Sequence, residues 1–349
     1  MTEHQQPIAR AIAALASGQQ LGEDLTTAAF GQLMRGEATA VQAAALLTGL
    51  RVKGETAEEI AGAVRALRGA MVQVPVPGNR RIIDTCGTGG GLVSTFNIST
   101  AAALVAVGAG VAVAKHGNRS FTSRCGSADV AEALGLPVQL DPQGAANVLE
   151  AGGLVFLFAP HYHPAMRFVA PVRRELAIPT VMNVIGPLAN PAGVRRQVVG
   201  VADAVRGPLL ANALCRLGAD HALVVHAHVG MDEIAPSGPT LVWEVMDREV
   251  RMWTLKPEDY GLEEDHLQEL AGGDPPQNAM RIRRLLAEPQ RDPVGRATVL
   301  LNAGAGLYVA GLAGSLREGV ERAQAALDDG QAAKALERWL EPARLSTSA

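Results

Sequence analysis

The chain has 349 residues, 48% of them hydrophobic, and a formal net charge of −4. It is long enough for two domains or one large one, too apolar for wholesale disorder and too acidic for a basic nucleic-acid footprint along its length. Its 3% aromatic content leaves little to stack on single-stranded bases.

Residues 1–72 read as helices alone. The N-terminus lacks the basic start and apolar core of a secretory signal. Ile60, Val64, Leu67 and Met71 fall on one helix face, and Thr56 with Glu59 is a capping-box pair at its start. Val74-Pro75-Val76-Pro77-Gly78 is a stiff linker and marks a domain boundary. Beyond it short strands alternate with helices. A strand ends at 81–84, a helix covers Ser99 to Ala109, and a strand runs over 111–115. The uncharged apolar run 101–114 is too short to span a bilayer, which needs roughly 20 residues. A helix follows over 128–134 and a short strand over 138–140. Asp141-Pro142 is an N-cap and first-turn proline, opening a helix to Ala151. Further strands are expected over 154–158, 198–201 and 222–225, and residues 278–340 return to helix. The alternation predicts an α/β sheet with helices on its faces. Cys86, Cys125 and Cys215 are scattered and form no disulfide framework, so a cytoplasmic protein is expected.

Two loops carry the strongest chemical signal. Asp84-Thr-Cys-Gly87-Thr88-Gly89-Gly90-Gly91 lies between a strand end and a helix start. Its glycines allow amide N–H groups to converge into an anion nest, or simply make a long turn. Thr95-Phe96-Asn97-Ile98-Ser99-Thr100 then enters the helix, where the macrodipole favours phosphate and Ser99 is also a candidate N-cap. Lys115-His116-Gly117-Asn118-Arg119-Ser120-Phe121-Thr122-Ser123 follows the next strand and is bounded by a capped helix start at Ser127. Carboxyl ends of strands are where open α/β sheets bind ligands. Two anion loops after successive strands fit a ligand with two separated phosphate groups.

Asp232-Glu233 offers two carboxylates to a hard cation, although such pairs are most often solvated surface. His161-x-His163 and His226-x-His228 have same-face spacing on a strand and raise a zinc reading, without a third-ligand pattern to support it.

The ordered set DTCGTGGG, TFNIST, KHGNRSFTSRCGSADVAEALG, HPAMRFVAPVRRELAIPT, NVIGPLANPA and GMDEIAPSGPT resembles the anthranilate phosphoribosyltransferase family. LLTGLRVKGET, PEDYGL and LNAGAGLYVAG extend the resemblance over almost the whole chain. It implies a small N-terminal helical domain (1–74, with 165–190 packing on it). A larger α/β domain with a mainly parallel sheet (79–164 and 191–345) completes the fold. It further implies a homodimer through the helical part and an active site in the cleft between the domains. The implied reaction moves a phosphoribosyl group from phosphoribosyl pyrophosphate to the amine of anthranilate, in tryptophan biosynthesis. Position by position, Gly87, Gly90, Gly91, Thr95, Asn97, Ser99 and Thr100 are the implied donor contacts, with Lys115 through Ser123 and Ser127. Asn118, Arg173 and Gly87 are the implied anthranilate contacts, and Ser99, Asp232 and Glu233 the implied magnesium ligands. Gly91 departs from the Asp usual in the family, and Ala177 and Pro179 from the usual Gly and Arg. A pyrimidine nucleoside phosphorylase-like enzyme and a non-catalytic nucleic-acid-binding relative are the alternatives. The KHGNRS and VRREL motifs oppose the first, and the acidic charge with Asp232-Glu233 opposes the second.

Overall fold

A computed structural model describes residues 6–76, 81–120 and 124–346. The chain opens with four helices, α1 (Pro7–Ala16), α2 (Glu23–Met34), α3 (Ala40–Lys53) and α4 (Ala57–Ala70). Thr39 and Thr56 cap α3 and α4 in reciprocal boxes. The Thr56 box does more than start a helix, because Glu59 is fully buried. Its carboxylate accepts the Thr56 amide at 2.9 Å, the Leu21 amide at 2.8 Å and the Lys53 ammonium at 2.9 Å, tying three segments of the bundle together.

The α/β part runs β1 (Ile82–Gly87), α5 (Ile98–Gly108), β2 (Ala112–Gly117), α6 (Ser127–Ala133), α7 (Pro142–Gly152), β3 (Leu154–Phe158), α8 (Ala159–Tyr162) and α9 (Ala170–Leu176). It continues with β4 (Arg196–Gly200), α10 (Arg206–Arg216), β5 (His221–Ala227), β6 (Thr240–Met246) and β7 (Glu249–Leu255). Helices α11 (Pro275–Ala287), α12 (Pro293–Ala310), α13 (Leu316–Asp328) and α14 (Gln331–Ser346) close the chain.

The sheet has seven strands in the order β3-β2-β1-β4-β5-β6-β7. The first five are parallel, and β6 and β7 are added antiparallel. This hairpin is absent from the sequence reading. Its turn uses Asp247 and Arg248, both at positive φ (53° and 62°), rather than the Asn-Gly or Asp-Gly that advertises such turns.

The strand expected over 138–140 does not form. Leu136, Val138 and Leu140 are apolar because they pack into the core. The Leu140 carbonyl accepts the Tyr162 hydroxyl at 2.7 Å instead of a neighbouring strand.

Side chains alternate cleanly across the sheet. Val198, Leu223, Val225 and Val242 join a core with α5 and α12, while Val199, Val201, Ala222, Val224 and Val245 point the other way. That second face shares one continuous core with α1–α4, with residues 165–189 and with α10. The strand order reverses between β1 and β4, so a crevice opens beyond their carboxyl ends, where open α/β sheets place ligands.

Candidate active site at the sheet switch point

The loop after β1 is tethered across the crevice. The Thr88 amide donates to the Gly200 carbonyl at 2.9 Å, the Gly89 amide to Asp232 Oδ2 at 2.8 Å and the Leu92 amide to the Gly230 carbonyl at 2.8 Å. Gly87 and Gly200 are glycines because the 230–233 segment lies on top of them. A Cβ would stand 2.5 Å from Asp232 Oδ2 at Gly87 and 1.7 Å from the Asp232 carbonyl at Gly200. Gly90 has positive φ, whereas Gly91 does not. Neither amide has a hydrogen-bond acceptor among the described residues.

Ser99 lies in the first turn of α5. The N-cap position belongs to Asn97, which makes no side-chain cap, so Ser99 is not the cap expected of it. The Ser99 amide and hydroxyl meet Glu233, and the hydroxyl accepts from Lys115 Nζ at 3.0 Å. Lys115 is buried and also donates to the Thr85 carbonyl at 2.5 Å. Burial and the adjacent Asp232 charge push Glu233 up to about 8, and burial raises Asp232 as well. Two desolvated carboxylates and a hydroxyl converge here. That hard-oxygen set has the donor chemistry a Mg²⁺ ion takes.

Behind this cluster sits a residue the sequence reading did not use. Asp84 is fully buried, accepting the His116 amide at 3.2 Å and Asn190 Nδ2 at 2.8 Å. Burial pushes it up to about 6 against the pull of Lys115 and Asn190. Its signal was present, since Asp84 opens DTCG and Asn190 sits in the NPA run, but only the fold joins them across 106 residues.

The second loop is less available than expected. Asn118 Oδ1 accepts the Arg119 amide at 2.8 Å. The Arg119 guanidinium is held by Asp129 and Glu132 at 2.7 Å each, so it is not a free phosphate ligand. Gly126, not Ser127, caps α6; Asp129 takes the Gly126 amide, and Ser127 Oγ donates to the Asn118 carbonyl at 3.3 Å. Gly117 ends β2, and the Ser120 amide meets Asp129 Oδ2 at 3.5 Å. Phe121, Thr122 and Ser123 lie outside the described residues. Thr100 is fully buried in α5, and Thr95 bridges Ala271.

The histidine pairs do not assemble a metal site. His161 is on α8, not on a strand, and His163 caps its end. His163 Nε2 lies 3.2 Å from His116 Nε2. Burial holds His116 down to about 3 and His163 to about 4, so both rings are neutral. His226 Nδ1 bonds the Val201 carbonyl. Among the described residues no three His, Cys, Asp or Glu side chains are grouped to hold a metal, and no helix is long and apolar enough to cross a membrane.

Arg173 lies half-buried on α9 beside an exposed Arg174. Burial lowers its pKa, and it has no ion-pair partner among the described residues. No hydrogen bond ties it to the glycine loop or to Asp232-Glu233.

Residues 9–71 match the helical bundle domain, and 79–333 the a/b domain, of a glycosyl transferase family. An anthranilate phosphoribosyltransferase of Rubrobacter xylanophilus is 49% identical over 94% of this chain and 95% of its own. The crystal structure of the Thermus thermophilus anthranilate phosphoribosyltransferase matches with a TM-score of 0.90 at 43% identity, covering 96% of this chain and 99% of that one. The Saccharomyces cerevisiae anthranilate phosphoribosyltransferase, in complex with PRPP and Mg, matches with a TM-score of 0.86 at 28% identity, over 98% and 99% of the two chains. The same yeast protein has been solved with 4-fluoroanthranilate.

Proposed function

The chain belongs to the anthranilate phosphoribosyltransferase family, and on that premise we propose how its switch-point crevice performs the reaction. It transfers the phosphoribosyl group from phosphoribosyl pyrophosphate to the amine of anthranilate, giving N-(5-phosphoribosyl)anthranilate and pyrophosphate, a step of tryptophan biosynthesis. The near-full-length relatives favour this over a phosphorylase or a nucleic-acid-binding protein.

The observation that carries the reading is the meeting of three things at one point: the glycine loop, Ser99 and the Asp232-Glu233 pair. Substitution at the anomeric carbon builds charge on the departing pyrophosphate, so positioning and electrostatics do the catalysis. The acceptor-free amides of Gly90 and Gly91 are donors for those oxygens, with Gly87, Thr95 and Asn97 shaping the same wall, while Thr100, fully buried in α5, packs behind it rather than touching the donor. Lys115 holds the Ser99 hydroxyl in place. Ser99, Asp232 and Glu233 hold Mg²⁺, which when bound supplies positive charge for the leaving group. Residues 115–123 and Ser127 form the second donor loop, through backbone and small hydroxyls rather than through Arg119.

The acceptor needs a cation for its carboxylate. Arg173, partly desolvated and without an ion pair, has that character, and Asn118 and Gly87 complete the acceptor side. An aryl amine is a neutral nucleophile near pH 7 and needs no strong base. Residues 1–74 with 165–190 form one wall of the cleft, and 79–164 with 191–345 the other. Val41 and Val52 lie on one face of α3, 79% and 81% exposed, which supports a homodimer through the bundle. The enzyme works in the cytoplasm. Anthranilate fluorescence tests the reading: it falls only when phosphoribosyl pyrophosphate and Mg²⁺ are both present. A fall with the donor omitted, or none with both, refutes it.

A further inference from the structure

On the α11 flank of the Thr95–Asn97 segment lies a cavity of about 360 Å³, and none of its lining residues belongs to the site above. Arg124, Arg281 and Arg284 line it together with Gln277, Asn278 and Met280, and no acidic side chain does. Arg281 is fixed from behind. Its guanidinium pairs with Asp292 at 2.7 and 2.9 Å and covers the Phe96 ring at 4.2 Å from the centroid. Arg124 and Arg284 are exposed and have no ion pair among the described residues. Arg281 is compensated by Asp292, so Arg124 and Arg284 are two uncompensated like charges on one hollow, which an anion would neutralise.

The back wall is wired to the donor loop. Asn278 is buried; its Oδ1 accepts the Gly273 amide at 2.7 Å, and its Nδ2 donates to Asn97 Oδ1 at 3.0 Å. Asn97 Nδ2 in turn donates to the Cys125 carbonyl, one residue past Arg124. An anion spanning Arg124 and α11 therefore clamps the downstream limb of the second donor loop against the first.

We propose that this cavity is a second anion site that takes a phosphate monoester and, when filled, tightens binding of the phosphoribosyl donor. Two uncommitted guanidiniums, Arg124 from the loop before α6 and Arg284 from α11, reach the hollow from separate elements, a cationic pair that suits a phosphate oxyanion. The cavity exceeds one phosphate, and Met280, 65% exposed, gives an organic body an apolar edge. The effect on donor binding rests on the donor site proposed above, whereas occupancy of the cavity does not.

The test is calorimetric titration of the full chain, saturated with phosphoribosyl pyrophosphate and Mg²⁺ in the absence of anthranilate. Phenyl phosphate and inorganic phosphate are the two probes, and they separate an ester from free phosphate as the natural occupant. One site per chain is expected, weakened at least tenfold in Arg284→Glu and largely restored in Arg284→Lys, with basal kcat unchanged. In the wild type the probe lowers the donor KM severalfold; in Arg284→Glu it does not. Absence of binding to the donor-saturated chain, or equal binding by Arg284→Glu, overturns the site. Binding with an unchanged donor KM overturns the coupling. If the chain uses no phosphoribosyl donor at all, titration of the free chain still reads the cavity.

Discussion

Arg173 and Arg174 are neighbours in sequence and opposites in setting, one half-buried and one exposed. A charge-assisted hydrogen bond to a carboxylate is worth about 1.5–3 kcal/mol. Steady-state kinetics of Arg173→Ala are therefore expected to show kcat/KM for anthranilate down on the order of 10- to 150-fold. The donor KM barely moves, and Arg174→Ala costs little. Similar losses in both variants would count against Arg173 as the acceptor contact. Ala177 ends α9 at φ 51°, ψ 27°, a left-handed position that favours glycine. The left-handed conformation costs an L-residue about 1–2 kcal/mol, and glycine's larger entropy loss returns roughly half of that. Ala177→Gly is expected to raise Tm by about 1–2 °C, read by calorimetry.

At the scale of elements, the loops after β1 and β5 act as one unit because Asp232 binds both its own segment and the Gly89 amide. Replacing both carboxylates, Asp232→Asn with Glu233→Gln, is expected to lower kcat by on the order of 10²–10³ while circular dichroism stays unchanged. Full activity at limiting Mg²⁺ would remove the metal assignment. A Cβ at Gly91 would lie 3.3 Å from Asp232 Oδ1 and 2.9 Å from the Gly230 carbonyl. Gly91→Asp therefore brings a third carboxylate to the proposed metal site and crowds its backbone. Velocity against Mg²⁺ is expected to saturate at lower concentration and then turn downward, and a superimposable curve would show the position to be silent. The glycine loop and the hydroxyl-rich helix entry are legible in the sequence, since each is a compact run with its own chemistry, whereas Asp232-Glu233 by itself reads as solvated surface and gains a metal role only from the family resemblance. What local sequence hid was pairing. The engagement of Arg119 with α6, the burial of Asp84 against Asn190 and the His116–His163 contact depend on segments brought together only by the fold. The β6–β7 hairpin was missed because Asp247-Arg248 is an uncommon way to turn.

For the whole molecule, buried titrating groups set opposite pH slopes. Glu233 is raised from 4.5 to about 8, so without metal the folded chain holds a proton that the unfolded chain has lost, and stability falls as pH rises through that interval. His116 and His163 are depressed from 6.5 to about 3 and 4, so their contribution is complete above pH 6.5 and is lost as pH falls through 4 and 3. Metal-free Tm is expected to decline from pH 6.5 to 8.5, and saturating Mg²⁺ or Glu233→Gln to flatten the decline; an equal slope in all three would exclude Glu233 as its source. The core shared by α1–α4, residues 165–189 and one face of the sheet has a consequence on the ribosome. The bundle is made first, yet its covering segments follow some 95 residues later. At about 5–20 residues per second the nascent bundle waits roughly 5–20 s with apolar surface uncovered, a window in which a holding chaperone, rather than the chain's own packing, protects it.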